Sequence, residues 1–222
     1  MRSPVFLGAT VLVGTLLLIL FGISSFSAIE PPKPPAPQEQ NLTPLERPTF
    51  SFVNPVRGPL DAKLTIYEFA DYSCAACADV QTALDQALKD FPGTIRVVWK
   101  DLPNATLHAE APKAAQAARC GQNQGAFWEF HDLLMANQDQ LGAVTYDAIA
   151  AQLKLDAAEF KNCMDQETTR PIIERDVEEG IRLGVDATPF LFVGSRKISG
   201  TVTAEQLHGI VEQEIKAPAK NP

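Results

Sequence analysis

Residues 64–77 read LTIYEFADYSCAAC, a strand-like apolar run that leads directly into two cysteines separated by two residues. The run from Leu64 to Ala70 is apolar on both faces, as in a central strand with layers on each side. Two thiols at this spacing can form and break a disulfide in place, and a helix N-terminus favours the thiolate. The order of strand, thiol pair and helix therefore predicts redox chemistry at Cys74 and Cys77.

The helix after the thiols assigns their roles. With Ser73 as the N-cap, Cys74 is expected in the first turn and Cys77 one turn further in and more buried. This asymmetry predicts an exposed attacking thiol with a resolving thiol behind it. The alternatives are half of a zinc site or two cysteines without a role. The other two cysteines and the three histidines offer no second pair at metal-ligand spacing, so no metal site is predicted.

A second strand and a long helical block follow. The first helix ends at Pro92-Gly93, and residues 95–100 alternate like a strand, which predicts a parallel pair joined by a right-handed crossover. Residues 108–183 have a helical pattern with three breaks, and residues 189–199 predict a hairpin before a closing helix at 203–215. The helical block is thus expected to interrupt a sheet that resumes after it.

Glu68 lies in phase with Leu64 and Ile66, so its side chain is expected in a buried face six residues before the first thiol. The alternative is a carboxylate at the strand end that reaches solvent. Lys100, in the neighbouring strand, is a candidate charge partner of Glu68 or else a solvated strand end.

The first 29 residues indicate the compartment. Between Arg2 and Glu30 no residue is charged, and Val5–Ile23 is almost wholly apolar. As a helix this segment measures roughly 28 Å, close to the hydrocarbon thickness of a bilayer. We expect residues 1–29 to be an uncleaved transmembrane anchor with a cytoplasmic amino terminus. The alternative is a signal peptide cleaved near Ala28, which leaves a soluble periplasmic protein.

Composition divides the rest of the chain. Residues 30–48 contain seven prolines and predict a stiff, extended linker. Residues 49–218 are long enough for one domain with a sizeable core, with a helical insertion at about 105–183.

Beyond residue 29 the chain has 18 basic and 27 acidic residues, a net charge of −9. This balance argues against nucleic acid or an anionic membrane surface as a partner.

Several motifs within residues 56–214, taken together, resemble the thioredoxin-fold family of exported disulfide oxidoreductases typified by DsbA. The resemblance implies an α/β thioredoxin fold with an inserted helical domain and a thiol:disulfide exchange activity. The motifs are Gly58 and Ala62 before the strand, Glu68–Cys77, Lys100–Pro103 with His108, the alanine-rich run to Cys120, Gly125–Leu134 and Gly184–Pro189.

By this resemblance Cys74 is the attacking thiol, Cys77 is the resolving thiol, and Pro189 is a cis-proline that faces the disulfide. Thr188, Pro189 and Tyr72 are the expected substrate contacts.

The family's buried Glu and Lys near the disulfide correspond to Glu68 and Lys100. Such a carboxylate can accept the proton of Cys77 as this thiol becomes the nucleophile. Cys120 and Cys163 are predicted to form a second, structural disulfide within the helical block. The alternatives for this pair are two buried free thiols or a second redox relay.

Two departures from the family leave the direction of electron flow open. Both residues between the cysteines are alanine, so no imidazolium stabilises the thiolate, and Thr188 precedes the expected cis-proline, as in many isomerases and reductases.

The prediction is a monomeric oxidase on the periplasmic side of the inner membrane that donates its disulfide to cysteine-containing unfolded or folding polypeptides. It needs no small-molecule cofactor, and a DsbB-like membrane oxidase reoxidises it. The alternatives are a reductase or isomerase kept reduced by a membrane electron donor, or a chaperone-like polypeptide-binding module.

Overall fold

A computed structural model describes residues 43–217, which contain a mixed sheet of five strands. The strands are β1 (Val56–Arg57), β2 (Leu64–Ala70), β3 (Ile95–Asp101), β4 (Phe190–Val193) and β5 (Arg196–Ser199). Their order in the sheet is β1-β3-β2-β4-β5. β2 therefore lies at the centre of the sheet, as its sequence predicted.

Strand pairing confirms the two supersecondary units that the sequence predicted. β2 and β3 are parallel, with Glu68 opposite Trp99, and β4 and β5 form an antiparallel hairpin. β4 returns antiparallel to β2. β1, which pairs antiparallel with β3, was not predicted, because two residues are too short to show a period.

Seven α-helices and one short 3₁₀ segment at Gln138–Gln140 lie within the described residues. The sequence-predicted breaks near residues 121–125, 142 and 156 are confirmed. A further break at residues 166–169 was missed, since this stretch has neither glycine nor proline; Glu167 adopts a positive φ of 49° there. The α-helices are α1 (Ala75–Asp90), α2 (Ala111–Asn123), α3 (Phe127–Ala136), α4 (Ala143–Gln152), α5 (Ala157–Asp165), α6 (Arg170–Leu183) and α7 (Ala204–Lys216).

The helices cover the sheet in distinct groups. α1 and α7 pack on the face that presents Leu64 and Ile66, while α6 contributes Leu183 to a cluster with Phe69 on the opposite face. Helices α2 to α5, with the thiols, Tyr72 and Trp99, share a third apolar cluster. The inserted helices therefore pack directly against the end of the sheet that carries Cys74 and Cys77.

The residues just before the domain also pack against it. The Leu45 N–H donates to the Arg182 C=O (2.8 Å), and the Arg182 Nε donates to the Thr43 C=O (2.8 Å). The last residues of the predicted linker, 43–48, therefore run along α6 instead of standing apart from the domain. The predicted anchor and the first part of the linker lie outside the described residues. Within residues 43–217, no helix has both the length and the apolar character needed to cross a bilayer.

Candidate active site

The two thiols lie at the start of α1, directly after the central strand. Cys74 is the N-cap residue, with extended backbone (φ −92°, ψ 111°), and α1 begins at Ala75. The expected placement of Cys74 in the first turn, capped by Ser73, is thus wrong by one residue. A turn causes the difference, since the Cys74 N–H donates to the Asp71 C=O (3.2 Å) and the Ser73 N–H donates to the Asp71 carboxylate (2.7 Å). Ser73 therefore belongs to this turn and not to the helix.

The two thiols differ in accessibility. Neither is part of a disulfide in this structure. Cys74 is 8 % exposed and Cys77 is 0 % exposed, so the order of burial agrees with the expected order. Cys74 is less accessible than the expected exposed nucleophile. It remains the thiol of the pair that a substrate sulfur can reach.

The pKa values of the two thiols move in opposite directions. The largest contribution to the lowered pKa of Cys74, about 6, is a hydrogen bond from the Cys77 thiol. Hydrogen bonds from the Thr188 side chain and the Cys77 N–H lower this pKa further, although burial opposes the shift. Burial raises the pKa of Cys77. At neutral pH, Cys74 is therefore a thiolate and Cys77 a thiol.

The loop before β4 brings a third element to the thiols. Gly184, with φ of 73°, ends α6 in the left-handed conformation that glycine adopts without strain. The loop then reaches Thr188–Pro189, whose peptide bond is cis. The Cys74 thiol lies 3.5 Å from the Thr188 C=O. Thr188, which is joined to Pro189 by this cis bond, therefore lies beside the Cys74 sulfur.

Glu68 is fully buried, and Gln81 connects it to the backbone of Cys77. Its Oε1 accepts a hydrogen bond from Gln81 Nε2 at 2.6 Å, and its Oε2 has no hydrogen-bond partner among the described residues. Burial raises the pKa of Glu68 to about 8. The solvent-exposed alternative for Glu68 is thus wrong, and the carboxyl group can exchange a proton near neutral pH.

Lys100 is not a partner of Glu68. In the parallel register Lys100 is opposite Phe69, one residue beyond Glu68, so its side chain leaves the opposite face of the sheet. There the Lys100 ammonium contacts Glu179 at 2.6 Å and Asp176 at 3.5 Å. The predicted pair of Glu68 and Lys100 is therefore wrong, and Lys100 belongs to a buried charge cluster away from the thiols.

Tyr72 does not lie on a surface that a substrate could contact. Its side chain is 1 % exposed and stacks at 4.9 Å from the Trp99 ring. The hydroxyl group hydrogen-bonds to His131 Nδ1 at 3.1 Å. The expected substrate contact at Tyr72 is wrong because the inserted helices cover this residue.

Three polar residues near the thiols were not among the predicted site residues. Gln81 contacts Glu68 and the Cys77 C=O (3.3 Å). His131 contacts Gln81 (3.2 Å), and Gln138 Nε2 donates to the Tyr72 C=O (2.8 Å). One sequence signal was available for Gln81, since it follows Cys77 by four residues on the same helix face. His131 and Gln138 come from the insertion, and only the tertiary packing brings them here.

Cys120 in α2 and Cys163 in α5 are joined by a disulfide, with Cα atoms 5.8 Å apart. Both side chains are buried. The bond links two helices of the insertion and lies apart from the Cys74/Cys77 pair in the chain. Among residues 43–217, no group of three or more His, Cys, Asp or Glu residues is arranged to hold a metal ion.

The chain is similar to curated bacterial proteins over a limited part of their length. It is 36% identical over 156 residues to the Na(+)/H(+) antiporter NhaA 3 of Salinispora tropica, a match that covers 70% of this chain and 24% of the relative. The chain thus spans about a quarter of the length of the first curated relatives that it matches.

Some of the solved structures that this chain matches are covered over nearly their whole length. A thioredoxin-like oxidoreductase from Silicibacter pomeroyi superposes with a TM-score of 0.69 at 25% identity, covering 76% of this chain and 95% of that chain. Oxidised BdbD from Bacillus subtilis superposes with a TM-score of 0.67 at 24% identity, covering 74% and 94%, which supports the fold. A family model described as Thioredoxin matches residues 52–213. The chain therefore belongs to the DsbA-like thioredoxin-fold family of thiol:disulfide oxidoreductases.

Proposed function

We propose that this protein is an exported disulfide oxidase that transfers the Cys74–Cys77 disulfide to cysteine-containing polypeptides. The observation that carries the proposal is the split between the two thiols. The pKa of Cys74 is lowered to about 6 and burial raises the pKa of Cys77. A stabilised Cys74 thiolate is a good leaving group, which favours donation of the disulfide to a substrate.

The exchange proceeds in two steps. A substrate thiolate attacks the Cys74 sulfur, the Cys74–Cys77 bond breaks, and Cys77 leaves and takes up a proton. A second substrate thiolate then attacks the substrate sulfur of the mixed disulfide, and Cys74 leaves as the thiolate. The substrate loses two electrons and the protein gains them. Glu68, buried behind Cys77, is proposed to supply the proton, and the Thr188–Pro189 loop to receive the substrate chain.

The site of action is proposed to be the periplasmic side of the inner membrane. The Cys120–Cys163 disulfide supports export, because structural disulfides persist in oxidising compartments. The apolar run at Val5–Ile23 supports a membrane anchor. A DsbB-like membrane oxidase would accept the electrons, and we propose that the domain acts as a monomer.

Two observations favour a reductase or isomerase as the second candidate. No histidine lies between the cysteines, and the lowered pKa of Cys74, about 6, is above the ~3.5 of the strongly oxidising DsbA. A less stabilised thiolate makes the disulfide a weaker oxidant.

A trapping experiment tests the exchange function. A Cys77→Ala variant is expected to accumulate mixed disulfides between Cys74 and substrate polypeptides, because no thiol remains to release them. Diagonal gels of cell extracts would show these adducts, and a Cys74→Ser/Cys77→Ala variant is the matched control. Absence of adducts in Cys77→Ala would contradict the proposal and favour a binding module.

Refolding of ribonuclease separates the two directions. The oxidase proposal predicts faster recovery of reduced ribonuclease than of scrambled ribonuclease. Rescue of the scrambled enzyme as fast as by an established isomerase would favour the second candidate.

A further inference from the structure

Four side chains form a continuous line of hydrogen bonds behind the thiols. Tyr72 OH contacts His131 Nδ1 at 3.1 Å, His131 Nε2 contacts Gln81 Oε1 at 3.2 Å, and Gln81 Nε2 contacts Glu68 Oε1 at 2.6 Å. Tyr72, His131 and Glu68 are each at most 1 % exposed. The line crosses from the inserted helix α3 through α1 to the central strand β2. The exchange steps above use only its last member.

The direction of these hydrogen bonds is fixed by the groups at each end of Gln81. Its amide nitrogen faces the Cys77 C=O (3.3 Å) as well as Glu68, and a carbonyl oxygen can only accept. The amide oxygen must therefore face His131 and accept from Nε2. Burial lowers the pKa of His131 to about 3, so the ring is neutral, and its Nδ1 accepts from Tyr72.

Each member thus donates to the next, and the line ends at one carboxyl oxygen of Glu68. Donors that point the same way along a chain strengthen one another. Oε1 is engaged as an acceptor, whereas Oε2 is buried and has no partner among the described residues. A proton that Glu68 takes up without breaking the line must go to Oε2. The Gln81 amide touches both Glu68 and the backbone of Cys77, which places the carboxyl group beside the resolving cysteine.

We propose that Gln81, His131 and Tyr72 are positioning residues that hold the Glu68 carboxyl group so that Oε2 exchanges a proton with Cys77. The inference rests on the proposed thiol exchange and assigns its proton path. When a mixed disulfide on Cys74 is resolved, the Cys77 thiol gives its proton to Oε2 and its sulfur attacks the Cys74 sulfur. The bond between Cys74 and the substrate breaks, and the substrate leaves as a thiolate. In the donating direction, protonated Glu68 returns the proton to the departing Cys77 sulfur.

Other charges also act on this carboxyl group. The Gln81 hydrogen bond and the Arg57 guanidinium favour its ionised form, while Asp85 and the Cys74 thiolate oppose it. Around His131, Arg57 is the main charge, and Asp132 lies 4.0 Å away. A change at Gln81 leaves all of these groups in place, so its effect on proton transfer can be measured separately.

Oxidised glutathione is the probe for the test. Reduced protein mixed with excess oxidised glutathione first forms a mixed disulfide on Cys74 and then resolves it through Cys77 at a rate independent of glutathione. Acid quenching and intact-mass measurement follow both steps. Gln81→Met, which removes the donor at similar volume, is expected to slow resolution about tenfold at pH 7, since charge-assisted hydrogen bonds are the strong ones. The pH midpoint of resolution should move upward by about one unit, while mixed-disulfide formation keeps its rate.

Two controls separate positioning from a general structural effect. Gln86 lies on the same helix and donates to the exposed Asp90 at 2.7 Å, so Gln86→Met should leave both steps unchanged. In a Glu68→Gln background, Gln81→Met should have no further effect on resolution. Equal slowing in that background, or an unshifted pH midpoint, would overturn the proposal.

The far end of the line is tested by Tyr72→Phe, which removes only the hydroxyl group. We expect resolution to slow about twofold at pH 7 and the pH midpoint to move upward. Both effects should be smaller than for Gln81→Met, because the change is two links further away. An unchanged pH profile would overturn the role of Tyr72 and His131. Failure of the wild-type protein to form a mixed disulfide on Cys74 is a different result, and it would contradict the exchange function itself.

Discussion

Cys74 owes much of its acidity to its partner thiol. The hydrogen bond from Cys77 is the largest contribution to the lowered pKa of about 6. Following thiolate absorbance against pH should therefore give a midpoint near 6 in the reduced protein. Cys77→Ala should move this midpoint up towards the unperturbed ~8.5, and Cys77→Ser, which keeps a hydroxyl donor, should move it less. Equal midpoints in the two variants would show that the Cys77 side chain does not act as a donor.

The buried Glu68 carboxyl group should make folding stability depend on pH. Its pKa is raised to about 8 in the folded protein, so the folded state binds the proton more tightly than the unfolded state, and stability falls as pH rises towards 8. Relative to Glu68→Gln, the wild type should lose on the order of 4 kcal/mol of unfolding free energy between pH 4 and pH 8. Urea unfolding across this range measures the difference. A constant difference between the two proteins would contradict the raised pKa.

At the residue scale, the features that could be predicted from the sequence are those that follow its periodicity. Two-residue alternation predicted that Glu68 is buried, and the position of Cys77 in the helix predicted that it lies deeper than Cys74. The predictions for Lys100 and Tyr72 were wrong, because the partners of Lys100 depend on strand register and on α6, and the covering of Tyr72 depends on how the insertion folds back. Neither the strand register nor the packing of the insertion can be predicted from the local sequence.

At the element scale, a buried cluster of charges joins β3 to α2 and α6. Arg119 in α2 contacts Asp101 at 2.6 Å and Asp176 at 2.8 Å, and Lys100 contacts Glu179 at 2.6 Å. Removing one member of such a buried ion pair destabilises the fold strongly, because it leaves the charge of its partner buried and uncompensated. Helical or strand-end positions could be predicted for these residues, but nothing in the local sequence indicated that they meet. These contacts join α2 and α6 to β3.

The Cys120–Cys163 disulfide ties two helices of the insertion and closes a loop with a sequence separation of 43 residues. On the chain-entropy model, whose mechanism is disputed, replacing both cysteines with serine should lower the unfolding free energy by about 4 kcal/mol. Thiol exchange by Cys74 should persist while the variant stays folded. Denaturant unfolding and glutathione exchange measure the two effects. A folded double variant that has lost exchange would contradict a purely structural role and favour a redox relay.

The order of strands and helices could be predicted because these elements have long periodic segments bounded by Pro92-Gly93, Gly142 or Gly184. The elements that the sequence did not reveal are short or lack such boundaries. β1 has two residues, and the break at residues 166–169 contains no glycine or proline. The cis bond before Pro189 was implied by the family resemblance alone, since cis X–Pro bonds are too uncommon to predict from sequence.

At the scale of the whole molecule, the proposed anchor determines where exchange takes place. We predict that the full-length chain fractionates with membranes, because Val5–Ile23 is long and apolar enough to span a bilayer. A shortened chain that begins at Pro31 should be soluble and active, since it keeps the contacts of Thr43 and Leu45 with Arg182. Carbonate extraction of membranes and glutathione exchange test the two parts. A mature amino terminus close to Ala28 would show a cleaved signal instead.

The direction of electron flow is also a property of the whole molecule. The one thioredoxin-fold domain within residues 43–217 is expected to suit oxidation better than isomerisation, whereas the two alanines and Thr188 favour a weaker oxidant. We therefore expect a reduction potential between the ~−120 mV of DsbA and the ~−270 mV of thioredoxin.

The most direct test is the redox state of Cys74 and Cys77 in growing cells. Acid quenching followed by alkylation of free thiols preserves this state, and the added mass reports how many of the two thiols were reduced. The oxidase proposal predicts that most of the protein carries the Cys74–Cys77 disulfide, and that this fraction falls when the membrane oxidase is absent. Isolation of the pair predominantly as two thiols from wild-type cells would contradict the proposal.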